Sequence, residues 1–254
     1  RLFYGASPEP SSYRVSRWLY LRGLAACYLI AFASLWAQLD GLVGSQGITP
    51  AADFLKGVTG MLPGADRYWQ VPTLLWLSPS DAALVSLCAA GVLLSFVLMA
   101  GLAQIPALLI LWAGYLSLVS ACGIFLGYQW DNLLLEAGLL AVFLAPWSLK
   151  ANRPCREGKA ACFGIFLTQF LLFKLMFSAG VVKLLSGDAA WWNLTALAHH
   201  FETQCLPTWP AWYFHQLPQW ALKVLTGGMF FIELVLPFFF FAPRPGPNLM
   251  VACA

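Results

Sequence analysis

Six stretches of the chain run almost without charge for about the 20 residues that an α-helix needs to cross the hydrocarbon of a bilayer. They are Trp18 to Gln38, Ala82 to Gly101, Gln104 to Gly123, Gln129 to Trp147, Ala161 to Leu185 and Trp220 to Ala242. Charge, Pro or Gly bounds each of them, and no alternation of period two marks a strand between them. The pattern predicts an all-α, polytopic transmembrane helical bundle of about six spanning helices, with a large lumenal loop after helix five. No internal repeat or low-complexity tract interrupts it. The first run is too long for a signal peptide and lacks a small-residue cleavage site, so it reads as a signal anchor. Residues 1–247 are expected to form one transmembrane helical domain, and 248–254 to be the start of a further truncated segment. An Arg at position 1 adds to the expectation that this is a piece of a longer chain.

Composition agrees with a lipid solvent. Of 254 residues 60% are hydrophobic and 10% charged, at a mean hydropathy of +0.73, whereas soluble domains carry roughly 25% charged residues. The net charge of +3 gathers at helix flanks and forms no patch suited to nucleic acid, which leaves membrane lipid as the general partner. Short loops rich in Lys and Arg stay cytosolic. Arg14, Arg17 and Arg22 therefore put the N-terminus in the cytosol, and Lys150, Arg153, Arg156 and Lys159 put the loop Ala151 to Ala160 on the same side. Arg244 falls there too. The loops Leu39 to Asp81 and Ser186 to Gln219 then face the lumen. Of the 7 cysteines, Cys27 and Cys88 lie within apolar helices, and Cys155 and Cys162 are expected reduced on the cytosolic flank of the fifth helix. Topology allows Cys122 and Cys205 to meet an oxidising lumen, where free thiols are the expectation.

Ionisable residues inside spanning helices are costly and mark candidate sites. Asp131 and Glu136 on the fourth run, Lys174 and Lys183 on the fifth and Glu233 on the sixth form an expected intramembrane charge network. If the fourth and fifth helices are antiparallel neighbours, equal depth pairs Asp131 with Lys183 and Glu136 with Lys174, to within about one helical turn. The loop Ser186 to Pro218 holds every His of the chain. Its candidates are Asp188, Trp191, Trp192, His199, His200, Glu202, Trp209, Tyr213 and His215. Trp and Tyr suit a cap at headgroup level or an aromatic docking surface. Asn193-Leu194-Thr195 is a glycosylation sequon, close behind a helix end. Adjacent His199 and His200 project to different helix faces, and no Cys/His spacing of a metal site exists, so neither a metal nor another cofactor is expected.

Five blocks in register then resemble one family: FASLWAQLDGLVGSQGITPA (Phe32 to Ala51), VPTLLWLSP (Val71 to Pro79), FLGYQWDNLLLEAGLLAVFLAPW, the stretch from LMFSAGVVKLL through HHFETQCLPTWPAWYFHQLP (Leu175 to Pro218), and FIELVLPFFFFAPR (Phe231 to Arg244). They are similar to successive blocks of the lipase maturation factor family, and PTLLW looks nearer its second paralogue and bacterial relatives than its first. The family's HYETQPxP stands here as His200 to Pro207, with Phe201 for Tyr and Cys205 for Pro. The resemblance implies the N-terminal membrane part of a multi-pass endoplasmic-reticulum glycoprotein (an inner-membrane protein in a bacterium). It further implies a chaperone that helps immature secreted lipases fold and assemble, a protein-folding role rather than an enzyme's.

A second class stays open. SAGVVKLLSGDAAWW also faintly resembles a helix end of the vitamin K-dependent carboxylase-like membrane proteins. Under that reading Lys183 would be a base beside His199 or His200 in a lumen-facing enzyme site, and Asp131 and Glu136 would tune it. A transporter, the third class, calls for paired halves with broken helices. Gly227-Gly228 and Pro237 interrupt the sixth run, but no matching half exists.

Overall fold

The computed structural model describes residues 13–62, 64–149, 159–206 and 208–241. Among them every regular element is helical: α1 (Arg14–Leu42), α2 (Ala51–Met61), α3 (Asp66–Gln70), α4 (Asp81–Met99), α5 (Gln104–Ala121), α6 (Gly123–Leu126), α7 (Gln129–Leu144), α8 (Lys159–Leu185), α9 (Ala189–Trp192), α10 (Ala196–Thr203), α11 (Trp209–His215) and α12 (Gln219–Leu234). Short 3-10 turns cover Leu74–Trp76 and Leu236–Phe241. Among the described residues five helical stretches are long and apolar enough to cross a membrane: Arg14–Leu42, Asp81–Met99, Gln104–Ala121, Ala160–Leu185 and Gln219–Phe241. The fourth expected run is shorter. Its helix, α7, has 16 residues, about 24 Å at 1.5 Å per residue, against a hydrocarbon core of about 30 Å. It stops because Ala145, held extended ahead of Pro146 (ψ 139°), cannot continue the α ladder.

The described residues fall into two compact units, one through Thr168 and one from Gln169. In the first, α1 packs along α4 and α7, and α5 packs against both of these. Its centre is aromatic. Tyr28 and Phe32 of α1 are fully buried, and each meets Tyr115 of α5 edge to face, at 6.0 and 5.5 Å between ring centres. Glycines make room for them: a Cβ at Gly91 of α4 would overlap the Phe32 ring, and one at Gly138 of α7 would overlap the Tyr28 hydroxyl. Small residues at such crossings let helices approach where lipid supplies no hydrophobic drive. Outward positions such as Leu19, Ile30, Leu93, Phe96 and Ile110 are exposed and apolar, as a lipid-facing surface requires. Ends are tied by polar contacts. Ser80 caps α4 by accepting from the Ala83 amide. Asp81 accepts from the Ser45 amide at 2.8 Å and its hydroxyl at 2.6 Å. Arg22 donates to the carbonyl of Leu98 at the far end of α4, which also accepts from the Gly101 amide.

In the second unit α8 crosses the end of α12 closely, since a Cβ at Gly180 would stand 2.7 Å from Leu234 Cδ2. Phe173 and Phe177 of α8 meet Phe238 edge to face, at 5.1 and 5.6 Å between centres. Pro237 lacks the amide that an α-helix needs, so the chain tightens into the 3-10 turn that carries these phenylalanines. The loop expected after helix five is itself helical, as α9, α10 and α11.

Cys122 and Cys205 are free thiols. Cys162, expected reduced, is disulfide-bonded. The expectation followed from the basic flank alone, which carries no information on which sulfurs meet. Lys150, Arg153, Arg156, Arg244, Cys155 and segment 248–254 lie outside the described residues.

Candidate functional site

Lys183 and Glu233 form the polar centre of the second unit. Nζ donates to Oε1 at 2.5 Å and Oε2 at 2.7 Å, and the two side chains keep only 24% and 18% of their exposure. The Trp191 ring lies 5.6 Å from Nζ, close enough for the face of the indole to attract the cation. Phe230 fixes that indole edge to face at 6.0 Å. The chain reaches this geometry through a tight turn after α8, where Gly187 takes φ +73° and Asp188 caps α9 by accepting from the Ala190 amide at 2.8 Å. Asp188 is thus a helix cap, and Trp191, expected as an interfacial anchor, covers the ion pair.

The expectation that paired Lys183 with Asp131 does not describe the contacts found. Asp131 is buried in the first unit, where Oδ1 accepts from the Tyr115 hydroxyl at 2.6 Å and Oδ2 from the Tyr128 amide at 3.2 Å. It closes a capping box at the head of α7. Depth arithmetic went astray because it assumed that the carboxylate needed a cation. Two donors satisfy it instead. Tyr115 was absent from the sequence candidates. Its signal was available, since a tyrosine deep in an apolar run needs a partner for its hydroxyl. Glu136 and Lys174 are both exposed.

The loop residues build an aromatic cap. α10 packs on α11 and on α12, the rings of Phe201 and Phe214 stack at 6.3 Å, and Ala211 is the buried contact of α11. The outer face is apolar and open: Trp209 is 77% exposed, Trp212 63%, Tyr213 54% and Leu206 89%. Tyr213 lies edge-on to both tryptophans, 5.2 and 5.1 Å between centres. Trp192 and Asn193 are exposed at the end of α9. His199, His200 and Glu202 point outward on α10, and the Gln204 amide donates to the His200 imidazole. His215 ends α11 with Nδ1 buried and without a hydrogen-bond partner. Among the described residues no three His, Cys, Asp or Glu come close enough to hold a metal ion.

A cleft of about 630 Å³ opens between α8 and α12, its wall apolar except for Glu233. Residues 15–253 match the lipase maturation factor transmembrane domain. The chain belongs to the lipase maturation factor family. It is 44% identical over 247 residues to lipase maturation factor 2 of Homo sapiens, a match covering 91% of this chain and 34% of that protein. To lipase maturation factor 2 of Gallus gallus it is 44% identical over 240 residues, 91% of this chain and 33% of that one. Lipase maturation factor 1 of Bos taurus is 35% identical over 239 residues, 91% of this chain and 42% of that one. The greater identity to the second factor agrees with the PTLLW block. The chain spans about a third to two-fifths of the length of these relatives. No solved structure matches it. As a lipase maturation factor family member it is an all-α membrane protein, and its ion pair and aromatic cap sit within the segment that the family shares.

Proposed function

We propose that the protein is a folding and assembly factor for secreted lipases, resident in the endoplasmic-reticulum membrane or, in a bacterium, the inner membrane. Family membership supports the client class. The observation that carries the mode of action is the exposed face of Trp209, Trp212, Tyr213 and Leu206. An unfinished client presents apolar segments without a fixed shape, and an open aromatic surface meets them better than a deep pocket does. The enzyme reading needs Lys183 as a free base. Its ammonium is instead engaged by both oxygens of Glu233.

Photocrosslinking of the full-length protein to a newly made lipase tests this. Changing Trp209 and Tyr213 to Ser should leave the helices folded and reduce crosslinking roughly tenfold or more, the scale of aromatic anchors in interfaces. His200→Gln should change it little. Crosslinking that survives the double change refutes docking on this face, and loss of lipase activity in His200→Gln with crosslinking intact makes the cap a reaction site.

Orientation belongs to the same proposal, with α10 and α11 in the lumen and Asn193 within reach of glycosylation. One span, α8, separates positions 159 and 208, so single cysteines placed there should react with impermeant thiol reagents from opposite sides, position 208 from the lumen. The basic flank and the disulfide at Cys162 point to opposite sides for the start of α8. Labelling of position 159 from the lumen would reverse the orientation read from charge.

A further inference from the structure

The cleft beside the Gly180 crossing is walled by Leu175, Met176 and Ala179 of α8 and Val224, Gly228 and Met229 of α12. Sites of roughly 300–1,000 Å³ with apolar walls and a few fixed polar groups are typical of small-molecule binding, and this one holds about 630 Å³. Both helices are long and apolar enough to span a membrane, and little of either is buried by protein, so lipid reaches the cleft directly. Its polar corner offers acceptors more than donors. A carboxylate offers about four acceptor positions, and Lys183 occupies Glu233 with one contact to each oxygen, which leaves acceptor capacity on a residue that lines the cleft. The ammonium is turned to Glu233 and to the Trp191 face and offers little to an anion.

We propose that this cleft binds a neutral, hydroxyl-bearing lipid, whose hydroxyl donates to Glu233 and whose chain lies along Leu175, Met176, Val224 and Met229. Fatty acids and phosphate-bearing lipids are disfavoured, because Lys183 is already committed to Glu233 and an anionic head would lose its water without gaining a counter-charge. The inference is independent of the lipase reading. It would stand if no client docked on the cap.

Gly228 supplies the test, because a Cβ added there meets nothing within 4 Å and a larger side chain would grow into the cleft without disturbing the helix. The full-length protein in vesicles is irradiated with a diazirine-bearing monoacylglycerol or with the matching fatty acid, and the labelled residues are mapped by mass spectrometry. The monoacylglycerol should label Leu175 to Ala179 and Val224 to Ile232 saturably. It should do so at about a tenfold lower concentration than the acid, the discrimination that one hydrogen bond to a charged acceptor supports. Gly228→Leu should weaken the labelling at least about tenfold by closing the cleft, and Val224→Trp should do so from the rim. The paired change Lys183→Met with Glu233→Leu keeps the walls apolar and should make the two probes equal. The proposal is overturned if the acid labels as well as the monoacylglycerol, or if both blocking variants leave saturable labelling intact. It is also overturned if labelling is unsaturable along every lipid-facing helix, or absent because a second copy of the chain fills the cleft.

Discussion

Lys183→Met alone is expected to destabilise the protein by roughly 3 to 5 kcal/mol, because it strands the Glu233 carboxylate in a half-buried, lipid-bounded site. Glu233→Leu should cost a similar amount by stranding the ammonium. Made together, the two changes should recover most of the loss, since an apolar pair of similar size needs no compensation. The readout is thermal unfolding in detergent followed by size exclusion, with the four proteins forming a double-mutant cycle. Strict additivity would mean that water or other groups satisfy these charges, and Glu233 would lose its place as the polar corner of the cleft. Recovery of fold without recovery of the proposed lipase maturation would instead tie the charges to function.

Gly91→Val should have the second largest effect. A Cβ there overlaps the Phe32 ring, and Phe32 is fully buried against Tyr28 and Tyr115, so the ring has nowhere to go and α1 must separate from α4. Overpacking of this kind costs about 1–3 kcal/mol. Phe32→Ala in the same molecule should give room to the valine, so that the double variant is more stable than the sum of the two single losses allows. Melting of Gly91→Val at the temperature of the unaltered protein would show that the two helices do not meet this closely.

Hydropathy alone placed the ends of α4 and α5 within two residues and the start of α8 likewise, because a bilayer of fixed thickness demands runs of fixed length. α1 begins four residues before Trp18 and ends four after Gln38, since a helix continues into the headgroup zone where hydropathy no longer marks it. α7 ended early, at Leu144, for a reason visible in the sequence, Pro146. The loop candidates were recognisable as an aromatic group, yet their helices were not, because α9, α10 and α11 are each too short for a period to stand out. Charge pairing was the least legible. Sequence depth ranks residues along a helix but not around it, and Lys183 lies with Glu233 although Asp131 satisfied the same arithmetic. A better guide was chain order, since successive spans are usually neighbours and α12 is the next span after α8.

The Lys183 and Glu233 pair also bears on how the chain is made. The two residues are 50 positions apart, so α8 is complete and waiting at the insertion channel before its counter-charge has been synthesised. A lone Lys opposes entry into lipid by about 2.5–3.5 kcal/mol at the centre of a helix, and by less in the last turn of α8, where Lys183 stands. Release of α8 is therefore expected to be slowed until α12 arrives, with the Lys183 charge then balanced by Glu233 and the aromatic cap threaded between the two helices. Glu233 acts in this way before the protein has folded, as the permission for an earlier helix to enter the membrane.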